Sequence, residues 1–218
     1  MSLRLAAAYL GTGLIVTAHW ITFYSAIKLA NASVAATCMA LAPVFVALIE
    51  PKIVGRRFEP RELLFGIVMV PGVALVVGGT PAGMRTGIAI GIVSSFFSAL
   101  FSVLNKRLVE HAAPLTVTGL EMAAGSICLT IFAPRVWPGR HDALLILVLA
   151  IGCTLVPYVL SLVALRHLSA FSAALAVNME PVYSIVLAVA LLGEQRELTS
   201  AFYAGVAIIL AAVFTHRR

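Results

Sequence analysis

From Leu3 to Phe214 the chain is a succession of apolar runs separated by short charged or turn-forming stretches. Eight runs reach spanning length: Leu3–Ile27, Ala32–Ile53, Leu63–Gly79, Gly87–Leu108, Pro114–Phe132, Ala143–Leu165, Ser169–Leu192 and Leu198–Phe214. About 20 mostly apolar residues cross the ~30 Å hydrocarbon core of a bilayer as a helix. No run alternates with a period of two, so strands have no support. The sequence therefore predicts an all-α integral membrane protein, a polytopic bundle of about eight transmembrane helices. Composition agrees, at 61% hydrophobic and 11% charged with mean hydropathy +1.06. Soluble domains run at about 45–50% apolar and about 25% charged. No polar stretch is long enough to hold a soluble domain. The first run, led by Arg4, continues to Ile27 without a small-residue cleavage site and reads as a retained span rather than a signal peptide.

The net charge of +6 is scattered over short loops and forms no basic stripe, which leaves nucleic-acid binding unsupported. With the N-terminus placed in the cytoplasm, ten Lys and Arg fall on the inner side and five on the outer. The positive-inside rule then puts both termini in the cytoplasm, in a bacterial inner or plasma membrane. Cys38, Cys128 and Cys153 are widely spaced within apolar runs and read as small buried hydrophobes, with no disulfide or metal spacing. No phosphate-binding loop, HExxH or GxSxG occurs, so neither an enzyme nor a cofactor is expected.

The run Ser169–Leu192 carries Glu180 and Pro181 near its middle. A carboxylate at that depth costs roughly 2.5–3.5 kcal/mol on insertion scales and is seldom left facing lipid. Pro181 removes a backbone donor and frees a carbonyl near Val177. Helical spacing puts Glu180 on one face with Ala173, Ala176, Tyr183 and Ser184, a small and partly polar face suited to lining a cavity. Asn178 lies two positions ahead. The plainer role is a carboxylate hydrogen-bonded to a neighbouring helix as structural glue.

Other intramembrane groups add to this. Gly91, Ser94, Ser98, Ser102 and Asn105 form a small, polar stripe on the run from Gly87, which serves equally as a close-packing seam or a cavity wall. The half nearer Asn105 is the better cavity candidate. His19, deep in the first run, exchanges protons near neutral pH and with Glu180 would form a relay; a satisfied packing histidine is the alternative. Trp20 and Tyr24 share a face and would stack on an apolar or aromatic solute, or simply pack. Glu50 reads as structural, and Glu121, about two turns into its run, is ambiguous.

Compared with itself at an offset of 138 positions, the chain pairs Pro43 with Pro181, Lys28 with Arg166, Gly55 with Gly193 and Glu59 with Glu197. Equivalent helices are five spans apart, an odd number, so the second copy is inverted in the membrane. Inverted repeats with a site near the midplane are the architecture of many secondary transporters. The paired segments Ala40-Leu-Ala-Pro43-Val-Phe45 and Asn178-Met-Glu180-Pro181-Val-Tyr183, each followed by a Gly-containing charged turn and a Gly-bearing closing helix, resemble the EamA-type branch of the drug/metabolite transporter superfamily.

That resemblance implies two inverted five-helix repeats that export or exchange small metabolites, commonly amino acids, by alternating access. Pro43 and Pro181 would mark helix breaks or hinges. Ten helices are usual and eight are expected here, so residues 1–80 hold a partial first repeat of three helices and residues 86–216 a complete second one of five. The expected partners are the lipid bilayer, a small-molecule substrate, protons, and a homodimer mate or partner subunit. The rival expectation is a non-transporting membrane component, either an inactive truncated fragment or a subunit that needs a partner to complete its bundle.

Overall fold

The computed structural model describes residues 2–131, 137–193 and 199–215. Helices account for nearly all of it, and no strand occurs among the described residues. In lipid this is the economical solution, because a helix satisfies its backbone within its own segment.

The first helix, α1, runs Leu3–Leu29, with the Ser2 hydroxyl accepting from Leu5 N–H at its start. After a tight turn the Asn31 side chain accepts from Val34 N–H at 2.9 Å and opens α2. That helix, Ala32–Val54, contains a 3₁₀ turn over Met39–Leu41 directly ahead of Pro43. It ends at Gly55, whose φ of +80° is the left-handed conformation that favours glycine. Helix α3 is Pro60–Gly78, α4 is Arg85–Leu108 and α5 is Pro114–Thr130. Helix α6 runs Arg140–Ala150, takes a π-helical turn over Ile151–Leu155 and continues as Val156–His167.

The seventh apolar run is not one helix. It divides into α7, Ala170–Val177, and α8, Glu180–Leu187, with a turn at Asn178–Met179 between them and a π-helical turn Ala188–Leu192 after them. The physical reason is Pro181, which cannot donate to the preceding turn and is accommodated in the first turn of a new helix. Gly193, with φ +71°, ends this unit as Gly55 ends α2. The last helix, α9, is Ser200–Thr215. The expected helix ends at Phe132 and Leu198, and the turn residues Glu194 and Gln195, lie outside the described residues. Among the described residues, four helices are long and apolar enough to cross a membrane as they stand: Leu3–Leu29, Ala32–Val54, Ala82–Leu108 and Arg140–Leu165.

Helix α1 lies along α4 and α5, α9 along α3, and α2 against α3, α4, α7 and α8. With little hydrophobic drive between helices in lipid, close approach must come from small residues. A Cβ on Gly13 would overlap the backbone of Glu121, and one on Gly205 would overlap the Gly72 carbonyl. These glycines set the α1–α5 and α9–α3 spacings. One apolar cluster, with Tyr9, Val46, Met69, Leu162 and Phe171, fills the end of the bundle where α1 begins. Val34, Cys38, Val76, Ile185 and Phe202 form a second cluster.

Glu50 ties the first end together. It is 1% exposed, and its Oε1 and Oε2 accept from the first amides of α7, Ala170 N–H at 2.8 Å and Phe171 N–H at 3.1 Å. A carboxylate there meets the positive end of the helix and satisfies two donors that have no partner within it. Arg56 bonds Glu50 at 2.9 Å and also pairs with Glu62. Partial burial weakens the guanidinium charge, but the hydrogen bonds to Glu62 and Glu50 outweigh it and hold Arg56 above its ordinary range.

Candidate functional site

Within the bundle α1, α2, α4, α6, α7 and the first residue of α8 surround a cavity of about 350 Å³. Its wall is aromatic on one side, with Trp20, Phe23 and Tyr24 from α1, Phe101 from α4 and Tyr158 from α6. Polar groups reach it from Ser98 and Ser102 of α4, Thr154 and Ser161 of α6, His19 and Glu180. That volume and mixture fit the usual small-molecule site, apolar with a few placed polar groups.

Glu180 reaches the wall because the helix is interrupted just ahead of it. The turn at Asn178–Met179 lets α8 restart with Glu180 as its first residue, the carboxylate exposed to the cavity. The side chain of Pro181 lies outside the described residues; its backbone belongs to the first turn of α8. Pro43 occupies the matching place in α2, buried, one residue after the 3₁₀ turn gives way to α-helix at Ala42.

His19 is held by α4. Its Nδ1 lies 3.0 Å from the Ser94 carbonyl oxygen and 2.9 Å from Ser94 Oγ, and that hydroxyl lies 3.1 Å from the His19 carbonyl. The pattern assigns Nδ1–H as donor to the Ser94 carbonyl and the Ser94 hydroxyl as donor to His19 O, which leaves Nε2 as an acceptor. The ring packs between Phe23 and Phe101, at centroid distances of 5.9 and 5.5 Å.

The polar stripe of α4 divides three ways. Near its start it is a seam, where a Cβ on Gly91 would press on Cys38 at 3.0 Å. In the middle, Ser98 and Ser102 face the cavity. Toward its end Asn105 is buried and donates to the Tyr158 hydroxyl at 2.9 Å and to Glu121 Oε2 at 3.3 Å. Tyr158 in turn donates to Glu121 Oε2 at 2.6 Å.

The cavity thus gathers His19, Trp20, Tyr24, Ser98, Ser102 and Glu180 from the residues the sequence singles out. It does not gather Asn105, Asn178, Tyr183 or Ser184. Asn178 is buried against the Ala40 carbonyl at 3.3 Å and Met69 Sδ at 3.2 Å. Tyr183 is exposed and Ser184 half-buried, because α8 packs along α2 beyond its first turn. Glu180, Tyr183 and Ser184 follow one another within α8, beyond the break at Asn178, and only Glu180, its first residue, lies on the cavity. Sequence reasoning did not single out Phe23, Phe101 and Tyr158 for the cavity, since isolated aromatics in apolar helices carry no signal of which face they occupy.

Comparison with known proteins places this arrangement. The chain matches the EamA-like transporter family over residues 2–78 and 85–216. It belongs to that family, and its fold is that of a multi-pass helical membrane protein. Among curated relatives, an uncharacterized transporter of Archaeoglobus fulgidus is 28% identical over 194 residues, 88% of this chain and 69% of that protein. A second uncharacterized transporter of that organism is 29% identical over 104 residues, 48% of this chain and 37% of its length. The aromatic amino acid exporter YddG of Ancylobacter novellus is 25% identical over 141 residues, 60% of this chain. The matched region spans 37%, 48% and 69% of these three relatives. A crystal structure of another protein superposes with a TM-score of 0.69 over 98% of this chain and 75% of that one, at 19% identity, a likeness of fold.

Proposed function

We propose that this protein is a secondary-active exporter of a small organic solute, working by alternating access to the Glu180 cavity, with both termini in the cytoplasm. The observation that carries the reading is Glu180 itself, an acid at a helix break, exposed in a cavity walled by Trp20, Phe23, Tyr24, Phe101 and Tyr158. Broken helices that present polar groups at mid-membrane are how many secondary transporters build their sites. The aromatic wall suits a ring or a large apolar side chain, and the carboxylate suits an ammonium group. An amino acid with an aromatic side chain supplies both, in keeping with the named specificity of the Ancylobacter relative. His19 and Glu180 on one cavity provide two proton-exchanging groups for coupling.

Inverted repeats supply the rocking motion in this reading. In its support, the 3₁₀ turn ahead of Pro43 answers the helix break ahead of Pro181, and Gly55 and Gly193 end their helices with the same left-handed φ. Counterflow tests the whole. Liposomes holding the protein and loaded with unlabelled phenylalanine should accumulate labelled phenylalanine above empty liposomes. Absence of exchange with any aromatic amino acid rejects the substrate class.

A second reading has its own support. Residues 143–150 of α6 are exposed along their whole length, although apolar. A homodimer mate or partner subunit covering that face would complete the bundle. Full counterflow by liposomes that hold at most one chain each overturns it.

A further inference from the structure

Behind the aromatic wall lies a carboxyl group that the cavity reading does not use. Glu121 of α5 is 0% exposed, and both of its hydrogen bonds converge on Oε2, from Tyr158 at 2.6 Å and Asn105 at 3.3 Å. Its Oε1 is buried with no partner, as are Asn105 Oδ1 and Thr118 Oγ1. No cation among the described residues compensates it. Of the titratable and charged groups on the helices packed around α5, Tyr9 of α1 donates to the Leu108 carbonyl. On α4, Lys106 donates to the Leu165 carbonyl and Arg107 to that of Ile53. On α6, Tyr158 is the bonded phenol, and Arg166 donates to Val109 and Ala112. His19, further along α1, is bonded to Ser94.

An ionised carboxylate in such a place is strongly disfavoured unless a cation joins it. The group is also connected, because Tyr158 touches the cavity and Glu121 at once. We propose that Glu121, with Tyr158 and Asn105, is a proton-binding site that charges and discharges through the cavity. Proton uptake is a relay of two transfers. The phenol proton passes to Glu121 Oε2 as a hydronium ion in the cavity returns a proton to the Tyr158 oxygen and is left as water, so the carboxylate becomes an acid and the phenol is restored. Asn105 is a positioning residue: its amide holds the phenol oxygen and Oε2 together. The site rests on the transporter reading only for its link to solute movement; the protonation stands by itself.

Infrared difference spectroscopy of the full chain in liposomes, between alkaline and acid buffer, reads the site directly. Wild type should gain the carbonyl band of a buried carboxylic acid, Glu121→Gln should lose that band, and Glu180→Gln should retain it. Tyr158→Phe keeps the acid and removes its short hydrogen bond, so the band should shift. This variant carries the test if Glu121→Gln does not fold. A band that survives Glu121→Gln overturns the site, and an unshifted band in Tyr158→Phe overturns the relay. A carboxylate signal that persists in acid and responds to sodium but not to choline marks a small-cation site and overturns the proposal. Counterflow on the same vesicles keeps the two readings apart. No counterflow with the Glu121 band present rejects transport and leaves the proton site, whereas counterflow without the band does the reverse.

Discussion

The side-chain amide of Asn178 donates to the backbone carbonyl of Ala40 at 3.3 Å, and the two residues stand at matching places, 138 positions apart. Each lies three residues ahead of the proline that its half of the chain contributes, Pro181 and Pro43. A contact between counterparts of two repeats falls where a pseudo-twofold axis would run, which supports the inverted-repeat proposal. The same bond takes Asn178 away from the cavity and makes it a tie between α2 and the α7–α8 turn.

Asn178→Ala should therefore weaken the protein without altering what it binds. Loss of a buried hydrogen bond costs about 1–3 kcal/mol. Thermal unfolding in detergent should show a lowered Tm, and solute Kd should stay that of wild type. A changed Kd at unchanged Tm contradicts the assignment.

Glu50→Gln removes the charge that two amides of α7 and Arg56 share. Breaking a buried charged network on one side costs about 3 kcal/mol. The loss should appear as a lower Tm and faster proteolysis near residue 170. Glu62→Gln, which changes the more exposed of the two acids on Arg56 Nη2, should cost well under 1 kcal/mol.

Two glycines two residues apart on α1, on opposite faces of the helix, make a controlled pair. A Cβ at Gly13 would overlap the Glu121 backbone, whereas at Gly11 it would meet nothing within 4 Å. Gly13→Ala should destabilise by about 1–3 kcal/mol through forced separation of α1 from α5. Gly11→Ala should be neutral or gain up to ~1 kcal/mol from helix propensity. Equal Tm values for the two variants would falsify this account of the α1–α5 spacing.

Cys153 lines the cavity and is exposed, while Cys38 is buried against α4. A membrane-impermeant maleimide should label Cys153 and spare Cys38. Bound solute should slow the Cys153 reaction several-fold. Labelling that ignores solute places the binding site elsewhere.

Glu180→Gln should leave insertion and folding intact and abolish the response of solute flux to an imposed pH gradient, because the amide carries no exchangeable charge. Flux through the variant in liposomes that still follows the gradient removes Glu180 from the coupling. In that case Glu121, bonded to Tyr158 of the cavity wall, is, among the described residues, the remaining carboxyl next to the cavity.

The sequence revealed the helices because apolar runs bounded by charge leave few options in lipid, and the helix starts at Ala32 and Pro114 fall where the runs begin. It showed much of the cavity too, since His19, Ser98, Ser102 and Glu180 are polar groups in apolar surroundings. What it could not show is direction around a helix once periodicity fails. The break at Asn178–Met179 and the π turn at Ile151–Leu155 each change the phase of every residue beyond them. Asn178 lies in such a dislocation, and Tyr183 and Tyr158 lie just past one. The Glu121–Tyr158 bond also joins positions 37 apart, a pairing that only the packed bundle determines.

Glu50 has a consequence for how the bundle parts. Its two oxygens hold the start of α7 and the loop arginine together, so under alternating access α2 and α7 cannot drift apart by degrees. The first displacement strips both α7 amides from a single acid at once. In the proposed transport cycle, opening at that end would be all-or-none, with intermediate widths sparsely visited.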